Sequence, residues 1–388
     1  MRFLSELTYN LSFLKGLAKY ALFGVFPFFI VFVSYYALEI SNGGNSWKTA
    51  DWLINYDSGL IRRGLIGTLI IWTPTSGMSL LWTTFAIQIV LYLIMFLNVV
   101  RIFRLQKRDW RWYLILFSPA FLLFPFYDFQ GGFRKEIIGF VAFSYLCLKY
   151  ASQKLRNLHL LAVTGLLTLA FFSHELNVLV LPFFVYLLVI SYKEQLINLK
   201  TMVLSATTWA VIGGLSLILT VSKPGDAQQS AAVCSTITSK NLNADLCLGA
   251  IEALQRDTSY SVDRVIQSLR YESMFTPLLL LFSLIPLFLL GWFNRRNLAL
   301  TVQGFVSLIP LFIVAIDWGR WICVLVTYVF CTALSVKFEE RVRDFKGSRL
   351  IAIPYLTSWS IPHCCVGGME FGLLPFARRV IVRLVEYI

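Results

Sequence analysis

Charged residues are scarce in this chain, and acidic residues especially so. Asp and Glu together number 21 and Lys and Arg number 34 among 388 residues, so charged side chains make up 14% of the sequence while hydrophobic residues make up 57%. A soluble domain carries about 25% charged residues. So little polar surface cannot cover a water-exposed globule of this length, and so much apolar surface does not stay disordered. The composition therefore excludes a cytosolic enzyme and a disordered chain.

Histidine and cysteine are also rare, with 3 and 7 residues respectively. They are not spaced as zinc ligands, and the cysteines are too few for a disulfide-stabilised scaffold of this length. The sequence therefore predicts no cofactor and requires no metal. A divalent cation shared by Asp57, Asp128 and Asp317 is compatible with the sequence only if these three side chains converge.

What the chain does contain is a series of apolar runs, and a transmembrane helix needs roughly 17–25 such residues. Because lipid offers no hydrogen-bond partners to the backbone, these runs must be helical. We therefore predict an all-α fold, a polytopic integral membrane helical bundle that forms a single domain over residues 1–388, with about 10–11 transmembrane helices. The predicted spans are 20–39, 78–100, 112–127, 137–150, 158–173, 176–192, 202–221, 274–292, 298–316 and 321–335, followed by an ambiguous apolar tail at 350–377.

The distribution of Lys and Arg between the spans predicts the orientation. With the N-terminus in the cytoplasm, 20 of these residues fall in cytoplasmic loops and 11 in loops of the opposite face. This asymmetry follows the positive-inside rule and predicts a multi-pass membrane protein with its N-terminus in the cytoplasm. Since the basic residues lie in short clusters between apolar runs, nucleic acid is not an expected partner and membrane lipids are.

Two segments on the predicted extracytoplasmic side are longer than simple connections. Residues 40–77 carry Trp47 and Trp52 among polar residues, which is typical of an interfacial loop on the membrane surface. Residues 222–273 are predicted to form a small helical cap. The cap contains Cys234 and Cys247, which we expect to pair outside the reducing cytosol, with two reduced cysteines as the alternative.

Four short polar clusters lie at the ends of spans, where ionisable groups are costly and usually functional. The assigned topology places all four on the extracytoplasmic face, so we expect them to converge on one polar chamber. The clusters are Asp57–Gly64, Asp128–Glu136, Ser173–Glu175 and Asp317–Arg320.

The residue types in these clusters indicate binding of a phosphorylated substrate and proton transfer. Bases beside glycine are suited to hold a phosphate or pyrophosphate. His174 is the predicted general base, oriented by Glu175, with Asp57 as the competing base and Asp128 and Asp317 in supporting roles. The predicted (pyro)phosphate ligands are Arg62, Arg63, Arg134, Lys135 and Arg320.

Each cluster also has a purely structural interpretation. Arg62 and Arg63 are explained equally by contacts with lipid phosphates at a span end. Structural ion pairs, Asp128 with Arg134 and Asp317 with Arg320, would close short loops without binding any substrate. His174 would then be an ordinary loop histidine.

An apolar chain of this size, with an acidic first external loop, arginine-bearing external motifs and an external cap, resembles the multispanning glycosyltransferases and O-antigen polymerases of bacterial surface-polysaccharide assembly. The resemblance to the lipid-linked sugar transferases implies a base in the first loop, at Asp57 or Asp51. These transferases commonly have two adjacent acidic residues, whereas here the two are six positions apart. The resemblance therefore does not decide whether Asp51 or Asp57 is the base. The resemblance to the polymerases implies that polyprenyl pyrophosphate is bound by Arg62, Arg63, Arg134 and Arg320.

The preferred interpretation is therefore glycosyl transfer on the periplasmic face from a polyprenyl-(pyro)phosphate-linked donor. Its preferred form is polymerisation of O-antigen or other surface-polysaccharide repeat units carried on undecaprenyl pyrophosphate, within lipopolysaccharide biosynthesis. The expected partners are the polyprenyl-linked glycan donor and acceptor, together with polysaccharide-assembly proteins. The alternatives are a transporter or flippase of a lipid-linked sugar or an anion, and a membrane acyltransferase that uses His174 as base.

Overall fold

The computed structural model describes residues 27, 29–57, 59–105, 110–272, 275–338, 354–356 and 358–364. These residues form helices, short 3-10 turns and connecting segments, and they contain no β-strand. The helices are α1 (Phe29–Ser41), α2 (Leu65–Ile71), α3 (Gly77–Arg104), α4 (Trp110–Leu116), α5 (Phe124–Tyr127), α6 (Glu136–Ala151), α7 (Asn157–Ser173), α8 (Leu176–Leu179), α9 (Leu181–Lys193), α10 (Leu199–Ser222), α11 (Ala227–Ser239), α12 (Thr258–Glu272), α13 (Phe275–Leu290), α14 (Arg295–Val314) and α15 (Trp318–Ser335).

Five helices in the described part of the chain are long and apolar enough to cross a membrane. They are α3, the continuous α8–α9 segment, α10, α14 and α15, and α1, α7 and α13 are shorter apolar helices. The apolar runs predicted these helices to within a few residues at each end, because burial in lipid and a closed backbone hydrogen-bond pattern both require them. The predicted all-α polytopic membrane fold is confirmed.

One predicted span is wrong. Residues 112–127 do not form a continuous helix, because α4 ends at Leu116 and α5 covers only four residues. Pro119 lies in the break and disfavours helical geometry at the preceding residue, while Pro125 lies in the first turn of α5, where it is tolerated. The turns between α4 and α5 are nevertheless buried against the bundle.

Helix α15 lies at the centre of the bundle, and every one of its residues is buried. It packs against α6, α14, α13 and α3. A helix that is apolar on all faces buries itself on all faces, which explains this central position. Gly139 of α6 allows a close approach, since Asn177 Oδ1 and the Tyr328 hydroxyl occupy the space that a Cβ atom would need.

The segments 42–64 and 223–257 lie together at one end of the bundle. Their backbones are joined by hydrogen bonds from Arg62 N to Lys223 O at 3.1 Å and from Ala250 N to Ser46 O at 2.9 Å. The first segment does not simply rest on the surface, because Trp52 is fully buried and its Nε1 donates to Phe133 O at 2.8 Å. The cap contains α11 and α12.

The disulfide within the cap joins Cys234 in the middle of α11 to Cys247 in the following 3-10 turn, with 5.7 Å between the Cα atoms. Little of the apolar tail at 350–377 belongs to the described residues. The parts that do are 354–356 and 358–364. The second returns to the start of α15, where Pro362 O occupies the position of a Cβ atom on Gly319. The remainder of that predicted span lies outside the described residues.

Gly67 gives a direct test of this packing. A Cβ atom at this position of α2 would overlap the carbonyl oxygen of Ile54, whereas a Cβ atom on Gly165 of α7 meets nothing within 4 Å. We expect Gly67→Ala to lower the free energy of unfolding by about 1–3 kcal/mol through overpacking. The matched Gly165→Ala should be neutral or slightly stabilising, because alanine favours helix. Thermal unfolding in detergent measures both, and equal unfolding temperatures would contradict the packing of α2 against residues 52–54.

Candidate functional site

A bidentate ion pair joins segment 42–64 to the start of α8. Arg63 Nε donates to both carboxylate oxygens of Glu175, at 3.0 and 2.9 Å, and Nη2 also contacts Oε1. Arg63 has φ +66°, a left-handed conformation that is rare outside glycine, and its carbonyl oxygen accepts a hydrogen bond from Lys135 Nζ at 2.8 Å. Contacts from two distant parts of the chain thus hold a strained residue in place.

Lys135 connects this pair to Asp51. The two side chains are fully or almost fully buried, and Nζ lies 3.7 Å from Asp51 Oδ1. Burial lowers the pKa of Lys135 to about 8, although the charge of Asp51 opposes the change. Burial works to raise the pKa of Asp51, but the charges of Lys135 and Arg63 outweigh it and lower the pKa. In the same way Arg63 holds the pKa of Glu175 well below its usual value despite burial.

A second ion-pair group forms where α6 and α15 begin. Arg320 Nε donates to Glu136 Oε1 at 3.0 Å, and the same guanidinium also contacts Asp317. Glu136 directly follows Lys135 in the chain, so the second ion-pair group lies next to the group formed by Arg63, Glu175, Lys135 and Asp51. The two carboxylates neutralise Arg320 and fix its orientation.

The loop before α6 contributes a third contact. Asp128 Oδ1 accepts hydrogen bonds from Gln130 N and Gly131 N, both at 3.0 Å, and Oδ2 lies 2.7 Å from Nδ1 of His363. Burial works to raise the pKa of Asp128, but the His363 side chain and the backbone N–H groups of His363 and Gly131 outweigh it and lower the pKa to about 2. Asp128 therefore pairs with His363 and not with Arg134, whereas the predicted Asp317–Arg320 ion pair is present.

Phe133 is the second strained residue of the site, with φ +58°. Its backbone N–H donates to the Tyr92 hydroxyl at 3.0 Å, and its carbonyl oxygen accepts from Trp52 Nε1 and from Gln88 Nε2. Its ring stacks on Phe32 at a centroid distance of 4.3 Å. These contacts over-determine the conformation and fix the position of the residues that follow, including Arg134.

His174 is buried and neutral at physiological pH. Burial, reinforced by the positive charge of Arg63, lowers its pKa to about 4. Nδ1 accepts a hydrogen bond from Leu176 N at 3.3 Å, which assigns the proton of the neutral ring to Nε2. A general base needs a free lone pair, and this ring has none. The hydrogen bond at Nδ1 does not favour His174 as the proton acceptor that the sequence suggested.

Arg134 differs from Arg63, Lys135 and Arg320, the basic residues of the site that are paired with carboxylates. Nη1 donates to Trp47 O at 3.2 Å and the guanidinium lies 5.9 Å from the centre of the Trp47 ring. Its Nε is buried without a hydrogen-bond partner, and no ion pair joins Arg134 to a carboxylate within the described part of the chain. Arg134 is therefore a buried cation with unused donor capacity.

Arg134 lines a cleft between α6 and α15, which we call the α6–α15 cleft. Two guanidinium groups and a carboxylate line it, from Arg134, Arg320 and Glu136 at the beginning of α6 and α15. Deeper along the same helices and along α3 the lining is apolar or aromatic. This part includes Met95, Phe96, Phe121, Leu122, Phe140 and Val324. The cleft thus combines a charged end, where α6 and α15 begin and which we call its mouth, with an apolar remainder.

Two predicted site residues lie apart from this network. Asp57 is exposed, and its backbone N–H donates a hydrogen bond to Asn55 Oδ1 at 3.0 Å. The Arg62 guanidinium approaches Ala253 O of the cap at 3.5 Å, and Arg62 does not line the cleft. Among the residues that the structure describes, no group of three His, Cys, Asp or Glu side chains is arranged to hold a metal ion.

The structure also reveals residues that the sequence did not single out. Glu136 lines the cleft, and its Oε2 is buried without a partner. Its position beside Arg134 and Lys135 was visible in the sequence, but its free oxygen was not. Asn177 Oδ1 and the Tyr328 hydroxyl are likewise buried and unpartnered. No short motif marks them, because they meet only through the packing of α6, α8 and α15.

The Arg63–Glu175 pair gives a matched comparison with the neighbouring arginine. Lysine cannot reproduce the bidentate fork, so Arg63→Lys should destabilise the protein by about 1–3 kcal/mol. Arg62→Lys should change stability far less, because Arg62 makes only a long contact with a carbonyl group. Unfolding temperatures in detergent measure the difference, and an equal effect of the two substitutions would contradict the pairing.

The buried, neutral state of His174 predicts a pH dependence. Its pKa is about 4 in the folded protein and 6.5 in the unfolded chain, so the unfolded state binds more protons between these values. Neutral His174 therefore contributes fully to the free energy of unfolding above pH 6.5. This contribution is lost as the pH falls to about 4, a change of about 3 kcal/mol. His174→Asn keeps an acceptor near Leu176 N but does not titrate. The variant should therefore lose less stability than the wild type over this range, and parallel pH profiles would contradict a neutral His174.

Comparisons with known proteins agree with the membrane architecture. No curated protein and no solved structure matches the chain. A family profile matches residues 20–279, a range that contains α1 to α12 and every polar cluster except Asp317–Arg320. The description of the family specifies a membrane protein and assigns no activity. The chain thus belongs to the family described as Uncharacterised membrane protein Rv1490.

Proposed function

We propose that this membrane protein transfers a sugar from a polyprenyl-(pyro)phosphate-linked donor to an acceptor hydroxyl. The α6–α15 cleft is the observation that supports this proposal. A polyprenyl-linked sugar is an amphipathic molecule with an anionic junction, and the cleft has cationic groups at its mouth and an apolar lining deeper between the helices. The proposal includes the orientation inferred from the basic residues, with the N-terminus in the cytoplasm and the cleft mouth on the periplasmic side of a bacterial inner membrane.

Arg134 is the proposed ligand of the donor phosphate. Arg63, Lys135 and Arg320 already face carboxylates, whereas Arg134 has no carboxylate partner among the described residues. A guanidinium with free N–H groups in a cleft of low dielectric constant binds a phosphate strongly. It also stabilises the charge that develops on the phosphate when the sugar leaves.

The proposed reaction forms one bond and breaks one. The acceptor oxygen attacks the anomeric carbon of the donor sugar, and the bond between that carbon and the phosphate oxygen breaks. The electron pair of the broken bond leaves with the polyprenyl phosphate, and the proton of the acceptor hydroxyl passes to a base of the protein. Arg63, Lys135 and Glu175 hold the surrounding segments in place and do not take part in bond making.

The position of the charged groups favours transfer over transport. Transporters bind substrates near the middle of the membrane on interrupted helices. Here the charged groups lie where α6, α8 and α15 begin and where α7 ends, all at the end that carries the cap. Within the proposal, polymerisation of surface-polysaccharide repeat units is the preferred form. It would require polysaccharide-assembly proteins as partners.

Electrophoresis of the surface polysaccharide from a deletion strain tests the reaction class. Loss of the ladder with one repeat unit retained identifies a polymerase, and loss of a single sugar identifies a transferase. An unchanged pattern would contradict glycosyl transfer and favour the transport alternative.

Binding of undecaprenyl phosphate to the purified protein in nanodiscs tests the cleft itself. We expect Arg134→Gln to weaken this binding by roughly 10- to 100-fold, because the variant loses a charge-assisted contact worth about 1.5–3 kcal/mol. The control Arg295→Gln removes an exposed arginine where α14 begins and should bind normally. Undecaprenol, which lacks the phosphate, should show no difference between the two variants. Equal affinity of both variants for undecaprenyl phosphate would contradict the role of Arg134.

A further inference from the structure

We infer that Glu136 is the general base that accepts the proton of the acceptor hydroxyl, an assignment that rests on the proposed function. Glu136 lies in the lining of the α6–α15 cleft and is 4% exposed. Its Oε1 is held by Arg320, while Oε2 is buried and has no hydrogen-bond partner. Buried carboxylate oxygens are almost always hydrogen-bonded in folded proteins. An unpartnered one in a cleft is a position where a ligand hydroxyl would complete the geometry.

The other acidic and imidazole groups of the network have their acceptor positions occupied or face elsewhere. Both oxygens of Glu175 bind Arg63, and both oxygens of Asp128 are hydrogen-bonded. Asp51 faces Lys135 and does not line the cleft. The lone pair on Nδ1 of His174 is used by Leu176 N. In the described part of the cleft lining, Glu136 is the one carboxylate with an oxygen that has no hydrogen-bond partner.

The surroundings of Glu136 keep its carboxylate ionised and oriented. Arg320 binds Oε1, and Asp317 in turn binds Arg320, so the Glu136 side chain is held from one side only. Oε2 is left free to take the proton. Arg134, two residues earlier, carries the unpartnered Nε in the same cleft. One short stretch of chain, fixed by the Phe133 contacts, therefore supplies both the phosphate ligand and the proton acceptor.

In the proposed step the acceptor oxygen forms its bond to the anomeric carbon while its proton moves to Glu136 Oε2. The carbon–oxygen bond to the phosphate breaks, and the polyprenyl phosphate departs with the electron pair, stabilised by Arg134. The products are the glycosylated acceptor, the free polyprenyl phosphate and a protonated Glu136. The proton then returns to solvent through the cleft mouth.

The variant Glu136→Gln separates proton acceptance from positioning, since the amide oxygen still accepts from Arg320 but the side chain cannot take a proton. Two quantities are measured: glycan product in the complemented deletion strain, and affinity of the purified variant for undecaprenyl phosphate. We expect product formation to fall by at least about 100-fold, the usual contribution of general base catalysis. Affinity for undecaprenyl phosphate should stay close to that of the wild type. Glu136→Asp, which keeps a shorter carboxylate, should retain partial product formation.

The control is Glu194→Gln, which removes the same charge at the opposite end of the bundle, where Glu194 accepts from Tyr150. It should leave both quantities unchanged. Substantial product from Glu136→Gln would overturn the assignment, as would a loss of product matched by an equal loss of lipid affinity. If Glu136→Gln does not fold, the Glu136→Asp variant tests the assignment instead. A Glu136→Asp protein that binds undecaprenyl phosphate normally but forms no product would contradict Glu136 as the general base.

The experiment distinguishes failure of this assignment from failure of the proposed function. A wild-type protein that does not bind undecaprenyl phosphate, from a locus whose deletion leaves the glycans unchanged, would overturn both. A wild-type protein that binds the lipid and supports glycan synthesis, together with an active Glu136→Gln variant, would overturn the base assignment alone.

Discussion

The pairing of buried charges is the constraint on which the rest of this structure depends. An isolated charge inside a membrane-embedded bundle is very costly, and the cost is offset only by a well-oriented partner. Arg63 and Glu175 are 112 residues apart in the chain, and Arg320 and Glu136 are 184 apart. Each pair therefore fixes the relative position of helices that the sequence separates widely. The helix ends meet at the cap side of the bundle because the charges located there have no other way to be neutralised.

The same constraint points to the candidate functional groups, because a few buried polar atoms remain without a hydrogen-bond partner. Most of the charged side chains in the network act mainly on one another, and their role is to shape the site. Among the charged residues that line the α6–α15 cleft, Arg134 keeps one nitrogen and Glu136 keeps one oxygen that is buried without a hydrogen-bond partner. A stable network that leaves a donor and an acceptor unused beside an apolar cleft is suited to an amphipathic, anionic substrate. The left-handed conformation of Phe133 supports this arrangement, since strained residues persist where neighbouring contacts over-determine them.

Much of the fold could be predicted from the residues alone. The apolar runs locate most of the helices because lipid forces a helical backbone, and the break after α4 could have been anticipated from Pro119 and Pro125. The candidate site was predictable only as a set of clusters. Interpreting Asp57 and His174 required knowledge of exposure and of the hydrogen bond at Nδ1, and neither is encoded in residue type or spacing.

The sequence by itself determined that the protein is a helical membrane protein and that ionisable residues gather at the ends of its apolar helices. These properties follow from composition and from the local periodicity of the backbone, which require no long-range information. Only the tertiary structure decided which acid neutralises which base, that Asp128 binds His363, and that Glu136 keeps an oxygen free. Those choices depend on distances between side chains more than a hundred positions apart, and such distances are set by how the whole bundle packs.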